Sequence, residues 1–194
     1  VRLVGSEMCI RDSFMDCGIS GIIATMTTGY EKAKAVRDGV KYPPIGHRGL
    51  STDGRAAHYG FSGMTPAEYM KFANDNTMLF LTLEDENAIS QIDEIAKLEG
   101  IDSIHIGPMD LASSMGYCGD SSNEAVQKVL KAAHEKIASY GDPNGNTWLG
   151  YYAPDPQSVR GVIERGGQVI NIGSELTALS KMLRQYKVEL DSAK

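Results

Sequence analysis

Short apolar segments alternate with amphipathic segments along this chain, and this alternation is the feature that most limits its fold. Five segments are expected to form strands: residues 21–26, 77–84, 102–107, 147–152 and 168–173. These segments are nearly continuous apolar runs, which is typical of strands that are buried on both faces. Strands that alternate with helices form parallel sheets covered by helices. The sequence therefore predicts an α/β protein.

The segments between the strands carry helix signals. Helices are predicted over residues 29–41, 66–75, 87–100, 123–141, 155–167 and 176–190. Pro43 and Pro44 end the first helix, because proline lacks the amide donor and disfavours helix in the residue before it. Thr65 is expected to cap the second helix, with Pro66 at its first position. A long irregular stretch, residues 42–64, separates these two helices.

Two architectures fit an alternating α/β pattern. A doubly wound sheet usually has a GxGxxG turn after its first strand, and Gly18, Gly21 and Gly29 do not have that spacing. A (β/α)8 TIM barrel needs about 250 residues and eight units. With five strands, the chain is expected to be such a barrel lacking its first two to three βα units. Residues 1–13 show neither the apolar period of a helix nor that of a strand. They are expected to be a non-native string joined to a partial barrel domain, residues 14–194.

Charge and composition exclude some classes of protein. The net charge is −6 and there is no basic run, which argues against a nucleic-acid partner. No apolar run approaches the roughly 20 residues of a membrane span. Cys9, Cys17 and Cys118 are an odd number without metal-ligand spacing, as is typical of reduced thiols in the cytoplasm. We therefore expect a cytoplasmic protein without a membrane partner.

Two acidic residues follow neighbouring predicted strands. Glu84 ends the second strand, and Asp110 follows the third in the sequence Gly-Pro-Met-Asp. The C-terminal ends of barrel strands form the active face, and adjacent strands lie about 4.8 Å apart. The two carboxylates can therefore converge as a divalent-metal site or as an acid/base pair. The alternative is that Glu84 caps its strand and Asp110 caps the following helix.

Three segments of the chain resemble the HpcH/HpaI aldolase and citrate lyase family. They are KYPPIGHRGLS (41–51), the segment 83–119 with its IHIGPMDLA motif, and INIGSEL (170–176). The resemblance implies a phosphoenolpyruvate/pyruvate-type barrel and a carbon–carbon lyase, usually a homo-oligomer. It implies cleavage of a 4-hydroxy-2-oxo acid to pyruvate and an aldehyde with Mg²⁺, Mn²⁺ or Co²⁺.

The resemblance also assigns roles to residues near the predicted strand ends. Glu84 stands where the family has a metal-binding glutamate, and Asp110 where it has an aspartate that binds metal and substrate. Gly107 and Met109 fall where backbone groups hold the pyruvate carboxylate. Thr82 replaces a glutamine that touches the substrate in 4-hydroxy-2-oxoheptanedioate aldolases, which weakens the assignment of that particular substrate.

Further roles follow from the same resemblance. Asp16 matches an aspartate that supports the catalytic histidine, sometimes across a subunit boundary, and Arg48 lies in a loop expected to shape the mouth of the site. Arg2 has about the spacing of an enolate-stabilising arginine, although its surroundings do not match. The histidine base is expected to precede Val1, so this chain alone is expected to be inactive.

The four histidines present do not replace that base. His47 lies in the signature loop and His58 in the irregular stretch, whereas His105 is expected in the core and His134 on a solvated helix face. Two other functions therefore remain open. One is a lyase for CoA thioesters of the citrate- or malyl-CoA type, and the other is a non-catalytic binding module.

Overall fold

The computed structural model describes residues 13–141, 147–153 and 155–192, and its strands form one parallel sheet. Neighbours in the sheet follow chain order, and each neighbouring pair is parallel. The strands are β1 (Gly21–Ala24), β2 (Met78–Leu83), β3 (Ser103–Ile106), β4 (Trp148–Ala153) and β5 (Val169–Ile172). Each strand begins and ends within two residues of the predicted range.

Helices connect successive strands in the described part of the chain. They are α1 (Tyr30–Val40), α2 (Pro66–Asn76), α3 (Glu86–Ser90), α4 (Ile92–Ala96), α5 (Pro108–Ser114), α6 (Glu124–Ala138), α7 (Val159–Glu164) and α8 (Glu175–Ser192). A 3-10 segment, Arg55–Gly60, lies in the irregular stretch. The predicted cap of α2 is confirmed, because Thr65 accepts from the Glu68 amide while the Glu68 carboxylate accepts from the Thr65 amide.

The sheet curls into a half-barrel of five parallel strands, which is consistent with part of a (β/α)8 barrel. Alternate strand residues pack outward against the helices, so that Leu81, Ile104 and Leu149 share one buried core with Ile95 of α4 and Ile137 of α6. The strand residues of opposite parity face the concave side of the sheet. The candidate site residues at the ends of β2 and β3 lie on that concave side.

Two helices differ from the prediction. The single helix expected over 87–100 breaks at Gln91, whose φ of −106° and ψ of 17° separate α3 from α4. The helix after β3 begins at Pro108, before Asp110 and not after it as a capping aspartate would require, and this places Asp110 in its first turn. Proline is tolerated there because the first amide of a helix has no partner within the helix.

The C-terminal helix α8 lies apart from the core, and the structure buries none of its residues against the rest of the described chain. Its exposed apolar side chains include Leu176, Leu179 and Leu183. Among the described helices, none is both long enough and apolar enough to cross a bilayer. Arg2 and nearly all of the string 1–13 lie outside the described residues.

Candidate functional site

The carboxylate of Glu84 is held between two neighbouring loops at the C-terminal ends of the strands. Glu84 directly follows β2, and its Oε2 accepts a hydrogen bond of 2.7 Å from the Met26 amide. Met26 lies in the β1–α1 loop with a φ of 52°, a left-handed conformation that costs an ordinary residue about 1 kcal/mol or more. No sequence signal identifies Met26 in advance, because methionine has no preference for that conformation.

Gly107, at the end of β3, provides the space in which the Glu84 side chain lies. A Cβ atom at Gly107 would stand 2.7 Å from Glu84 Cγ and 2.9 Å from its Oε1. The Gly107 amide donates to the carbonyl of Leu83 at 3.0 Å, so it continues the sheet ladder. The Gly107 amide is therefore used within the chain, and a contact of its backbone with a substrate carboxylate stays a prediction. What Gly107 contributes at the site in the structure is the absence of a side chain.

Asp110 completes a pair of carboxylates at this edge of the sheet. It lies in the first turn of α5 and is exposed. Burial raises the pKa of Glu84, and the negative charges of Asp110 and Asp85 raise it further, against the opposing effect of the Met26 hydrogen bond. A carboxylate whose charge is disfavoured by burial and by a second carboxylate nearby forms, with that neighbour, a site to which a cation would be attracted.

Helix capping does not account for this pair. At the start of α3 the capping residue is Asp85, which accepts from the Ala88 amide at 2.7 Å. Glu84 is therefore not the cap of α3. At the start of α5 the capping position is Gly107, and no side-chain cap bond is made there within the described chain. The alternative in which Glu84 and Asp110 serve as caps is therefore not what the structure shows.

Thr82 and Met109 lie at the same end of the sheet. Thr82 is half-buried on the concave side, two residues before Glu84, and its carbonyl accepts from the Thr27 amide at 3.2 Å. Met109 has an exposed side chain in the first turn of α5, where helix amides have no intrahelical partner. The structure thus brings both residues near the carboxylate pair, and their contact with substrate stays a prediction.

Asp16 and Arg48 meet each other at the opposite end of the strands. Arg48 donates to Asp16 Oδ1 at 2.8 Å, and its buried guanidinium lies 4.8 Å from the centre of the Tyr42 ring. The Arg48 amide donates to the carbonyl of Lys41, whose ammonium donates to the carbonyl of Thr77, the residue before β2. Within one chain the contacts of this pair lie near the start of β2 and do not include Glu84, and a role of Arg48 in shaping the mouth of a site stays a prediction.

None of the four histidines hydrogen-bonds to Glu84 or Asp110 in the described part of the chain. His105 is buried, as predicted; its Nε2 has no partner among the described residues, and burial lowers its pKa. The expectation for His134 was wrong, because it is half-buried and its Nδ1 lies 2.7 Å from the Tyr151 hydroxyl. This histidine sits on the helix side of β4, where the aromatic ring of Tyr151 covers it.

Two side chains at the site, those of Glu84 and Asp110, are of a kind that can ligate a metal ion. The described residues contain no group of three or more histidine, cysteine, aspartate or glutamate side chains that could hold a metal ion. Two carboxylates suit a cation such as Mg²⁺, which takes one or two carboxylates and keeps positions for water and substrate. The pair Glu84 and Asp110 fits this kind of site, and it does not fit an all-protein cage.

Comparisons with known proteins point to one family. The model of the HpcH/HpaI aldolase/citrate lyase family matches residues 1–181. The chain is 31% identical over 191 residues to a 5-keto-4-deoxy-D-glucarate aldolase of Escherichia coli, covering 96% of this chain and 71% of that protein.

Solved structures show the same fold. A HpcH/HpaI aldolase/citrate lyase family protein from Burkholderia cenocepacia superposes with a TM-score of 0.79 at 22% identity, covering 95% of this chain and 70% of that one. A HpcH/HpaI aldolase from Desulfitobacterium hafniense gives 0.80 at 22% identity, covering 94% and 68%. Together with the family match over nearly the whole sequence, these findings show that the chain belongs to the HpcH/HpaI aldolase/citrate lyase family.

Proposed function

We propose that this protein is a carbon–carbon lyase that cleaves a 4-hydroxy-2-oxo acid into pyruvate and an aldehyde with a divalent cation held by Glu84 and Asp110. The observation that carries the proposal is the pair of carboxylates at the ends of neighbouring strands, in a chain of an aldolase family. The relative from Escherichia coli is named for a keto-deoxy sugar acid, which supports a substrate of that class.

The donor set decides which cations are suitable. Both side chains offer carboxylate oxygens, which suit Mg²⁺ and Mn²⁺, and Co²⁺ accepts the same ligands less selectively. When bound, such a cation supplies a Lewis acid that polarises the 2-oxo group and stabilises the negative charge of the enolate. Two protein ligands leave positions for the carboxylate and oxo oxygens of the substrate.

The chain's own residues prepare this site. The Met26 amide occupies Oε2 of Glu84, while Oε1 is directed toward Gly107. We expect the Met109 amide, at the start of α5, to donate to the substrate carboxylate. Thr82 lies on the concave side of the sheet, two residues before Glu84. None of the four histidines hydrogen-bonds to this pair in the described part of the chain, so we assign the removal of the hydroxyl proton to none of them.

Metal binding and pyruvate release test the proposal separately. Mn²⁺ affinity is measured by calorimetry for the wild type, Glu84→Gln and Asp110→Asn, with Asp75→Asn as a matched control that removes one exposed carboxylate from α2. We expect each site variant to lose affinity, because one of the two ligands is gone, and the control to keep it. Pyruvate release from a 4-hydroxy-2-oxo acid by the full-length gene product, followed with lactate dehydrogenase, should stop in EDTA.

Two outcomes would contradict the proposal. Wild-type Mn²⁺ affinity in both site variants would show that Glu84 and Asp110 are not the ligands. Pyruvate release that survives both EDTA and Asp110→Asn would show that the reaction does not depend on a cation at this pair. In either case the remaining alternatives, a CoA-thioester lyase or a binding module, would be tested next by competition with CoA.

We further propose that the protein assembles as a homo-oligomer through α8. The apolar side chains of Leu176, Leu179 and Leu183 follow a helical spacing on a helix that the rest of the described chain leaves exposed. A row of large apolar residues on an exposed helix is typical of a surface that another helix covers. A second copy would also allow Asp16, which is remote from Glu84 in its own chain, to reach a neighbour's site.

A further inference from the structure

Two side-chain amides, of Asn87 and Gln91, join the β1–α1 loop to the helices that follow Glu84. Oε1 of Gln91 accepts from the Tyr30 amide at 2.8 Å, and Nδ2 of Asn87 donates to the carbonyl of Thr28 at 2.7 Å. The two side chains also contact each other, since Nε2 of Gln91 donates to Oδ1 of Asn87 at 2.9 Å. The three bonds form one continuous chain between two backbone groups of the loop.

The backbone fixes the orientation of both amides. The Tyr30 amide can only donate, so Gln91 must present its oxygen to it and its nitrogen to Asn87. Asn87 must then present its oxygen to Gln91 and its nitrogen to the Thr28 carbonyl, which can only accept. No flipped arrangement satisfies all three bonds, so this pair specifies one position of the loop.

The start of α1 depends on this pair instead of on a local cap. Its capping position is Gly29, which has no side chain and a φ of 146°. A Cβ atom at Gly29 would stand 2.8 Å from Asn87 Nδ2 and 3.1 Å from Gln91 Oε1. Helices usually receive a cap from their own serine, threonine, aspartate or asparagine. Here the cap comes from Gln91, 61 residues away, which ties α1 to the segment that carries Glu84.

The loop that is held in this way carries Met26. On one side of Met26, the Thr27 amide donates to the carbonyl of Thr82 on β2 at 3.2 Å, and on the other side Ala24 ends β1. Met26 itself adopts its left-handed conformation between these anchors, and its amide reaches Glu84 Oε2. A strained residue keeps its conformation only when the surrounding structure holds it there.

We propose that Asn87 and Gln91 are positioning residues of the carboxylate site. They hold the β1–α1 loop so that the Met26 amide occupies Glu84 Oε2 and leaves Oε1 as the oxygen that faces a cation. The inference rests on the proposed function, since it assigns a purpose to the orientation of a metal ligand. Neither side chain contacts Glu84, so both act through Met26.

The test compares amide variants in the full chain. Gln91→Ala removes the acceptor for Tyr30, and Gln91→Glu keeps an acceptor oxygen there and serves as the rescue variant. The matched control is Gln127→Ala, because Gln127 on α6 also donates from its amide to a loop carbonyl, that of Ser121, at 2.6 Å. The readouts are the hydrogen-exchange rate of the Met26 amide in metal-free protein and the dissociation constant for Mn²⁺.

We expect Gln91→Ala to expose the Met26 amide to exchange and to weaken Mn²⁺ binding about 10- to 100-fold, the range found when residues that orient metal ligands are lost. Gln91→Glu keeps the acceptor for the Tyr30 amide but loses the donor to Asn87 Oδ1, so it should restore part of both, and Gln127→Ala should change neither. Asn87→Ala should act in the same direction as Gln91→Ala. Thermal unfolding of each variant separates these local effects from a loss of the fold.

Three results would overturn the inference. One is wild-type Mn²⁺ affinity in Gln91→Ala while the Met26 amide exchanges freely. Another is a Met26 amide that stays protected in both Gln91→Ala and Asn87→Ala. The third is a loss of affinity in the control as large as that in Gln91→Ala. Wild-type affinity in Glu84→Gln would instead overturn the proposed function, so this variant distinguishes the two failures.

Discussion

Replacing Gly107 by alanine tests whether the site depends on the closeness of β3 to Glu84. The backbone of Gly107, with φ −84° and ψ 100°, suits alanine, so the effect of the change is steric. The new Cβ would lie 2.7 Å from Glu84 Cγ. Carbon atoms in ordinary contact lie about 3.5–4.0 Å apart, so Glu84 must retreat by about 1 Å. Because Glu84 is only partly buried, we expect a loss of stability below about 1 kcal/mol, less than overpacking costs in a core.

The expected functional loss is much larger than the loss of stability. A displacement of about 1 Å at a reacting centre can lower activity about 100-fold, and a disturbed ligand lowers metal affinity about 10- to 100-fold. We therefore expect Gly107→Ala to weaken Mn²⁺ binding by at least about tenfold in calorimetry. Pyruvate release, where measured, should fall with it, while thermal unfolding stays close to that of the wild type.

The matched control is Gly161→Ala on α7. A Cβ at Gly161 would meet the end of the flexible Arg165 side chain at 3.2 Å, which can move away. Alanine favours a helix over glycine by roughly 0.5–1 kcal/mol, so this variant should keep its affinity and its stability. A folded Gly107→Ala protein with wild-type Mn²⁺ affinity would refute the reasoning, because it would show that the position of Glu84 against Gly107 does not matter.

Three further predictions concern charge and assembly. Because the pKa of Glu84 is raised in the folded chain, its charge destabilises the metal-free protein as the pH rises above about 4.5. Glu84→Gln should therefore unfold at a higher temperature than the wild type at pH 7 in EDTA. A lower unfolding temperature would contradict this. Burial, together with the positive charge of Arg165, lowers the pKa of His134 to about 4. The contribution of the neutral His134 ring to the free energy of unfolding should therefore be fully present above pH 6.5 and fall by up to about 3 kcal/mol as the pH drops toward 4. Chemical denaturation should show a weaker fall in His134→Gln. Leu179→Glu with Leu183→Glu should lower the mass measured by light scattering if α8 joins copies of the chain, and an unchanged oligomer would exclude that surface.

Local pattern predicted most of the elements. The apolar runs at 77–84 and 102–107 became β2 and β3 almost without change, because strands buried on both faces must be apolar along their length. The meeting of Glu84 and Asp110 could also be predicted, since parallel neighbouring strands end at one edge of the sheet. The hydrogen bond between the Gln91 side chain and the Tyr30 amide could not, because it joins residues 61 positions apart in the chain.

The parallel α/β architecture, the resemblance to the family and the two carboxylates all follow from the residues and their order. The tertiary structure establishes which backbone groups hold the carboxylates. The amide of Met26 lies 58 residues from Glu84, and nothing in the residues between them encodes that bond. It also decided that Arg48 pairs with Asp16 at the starts of the strands, because the loop after α1 returns to that end. Contacts of this kind depend on the path of the whole chain, whereas periodicity and turn residues act over a few positions.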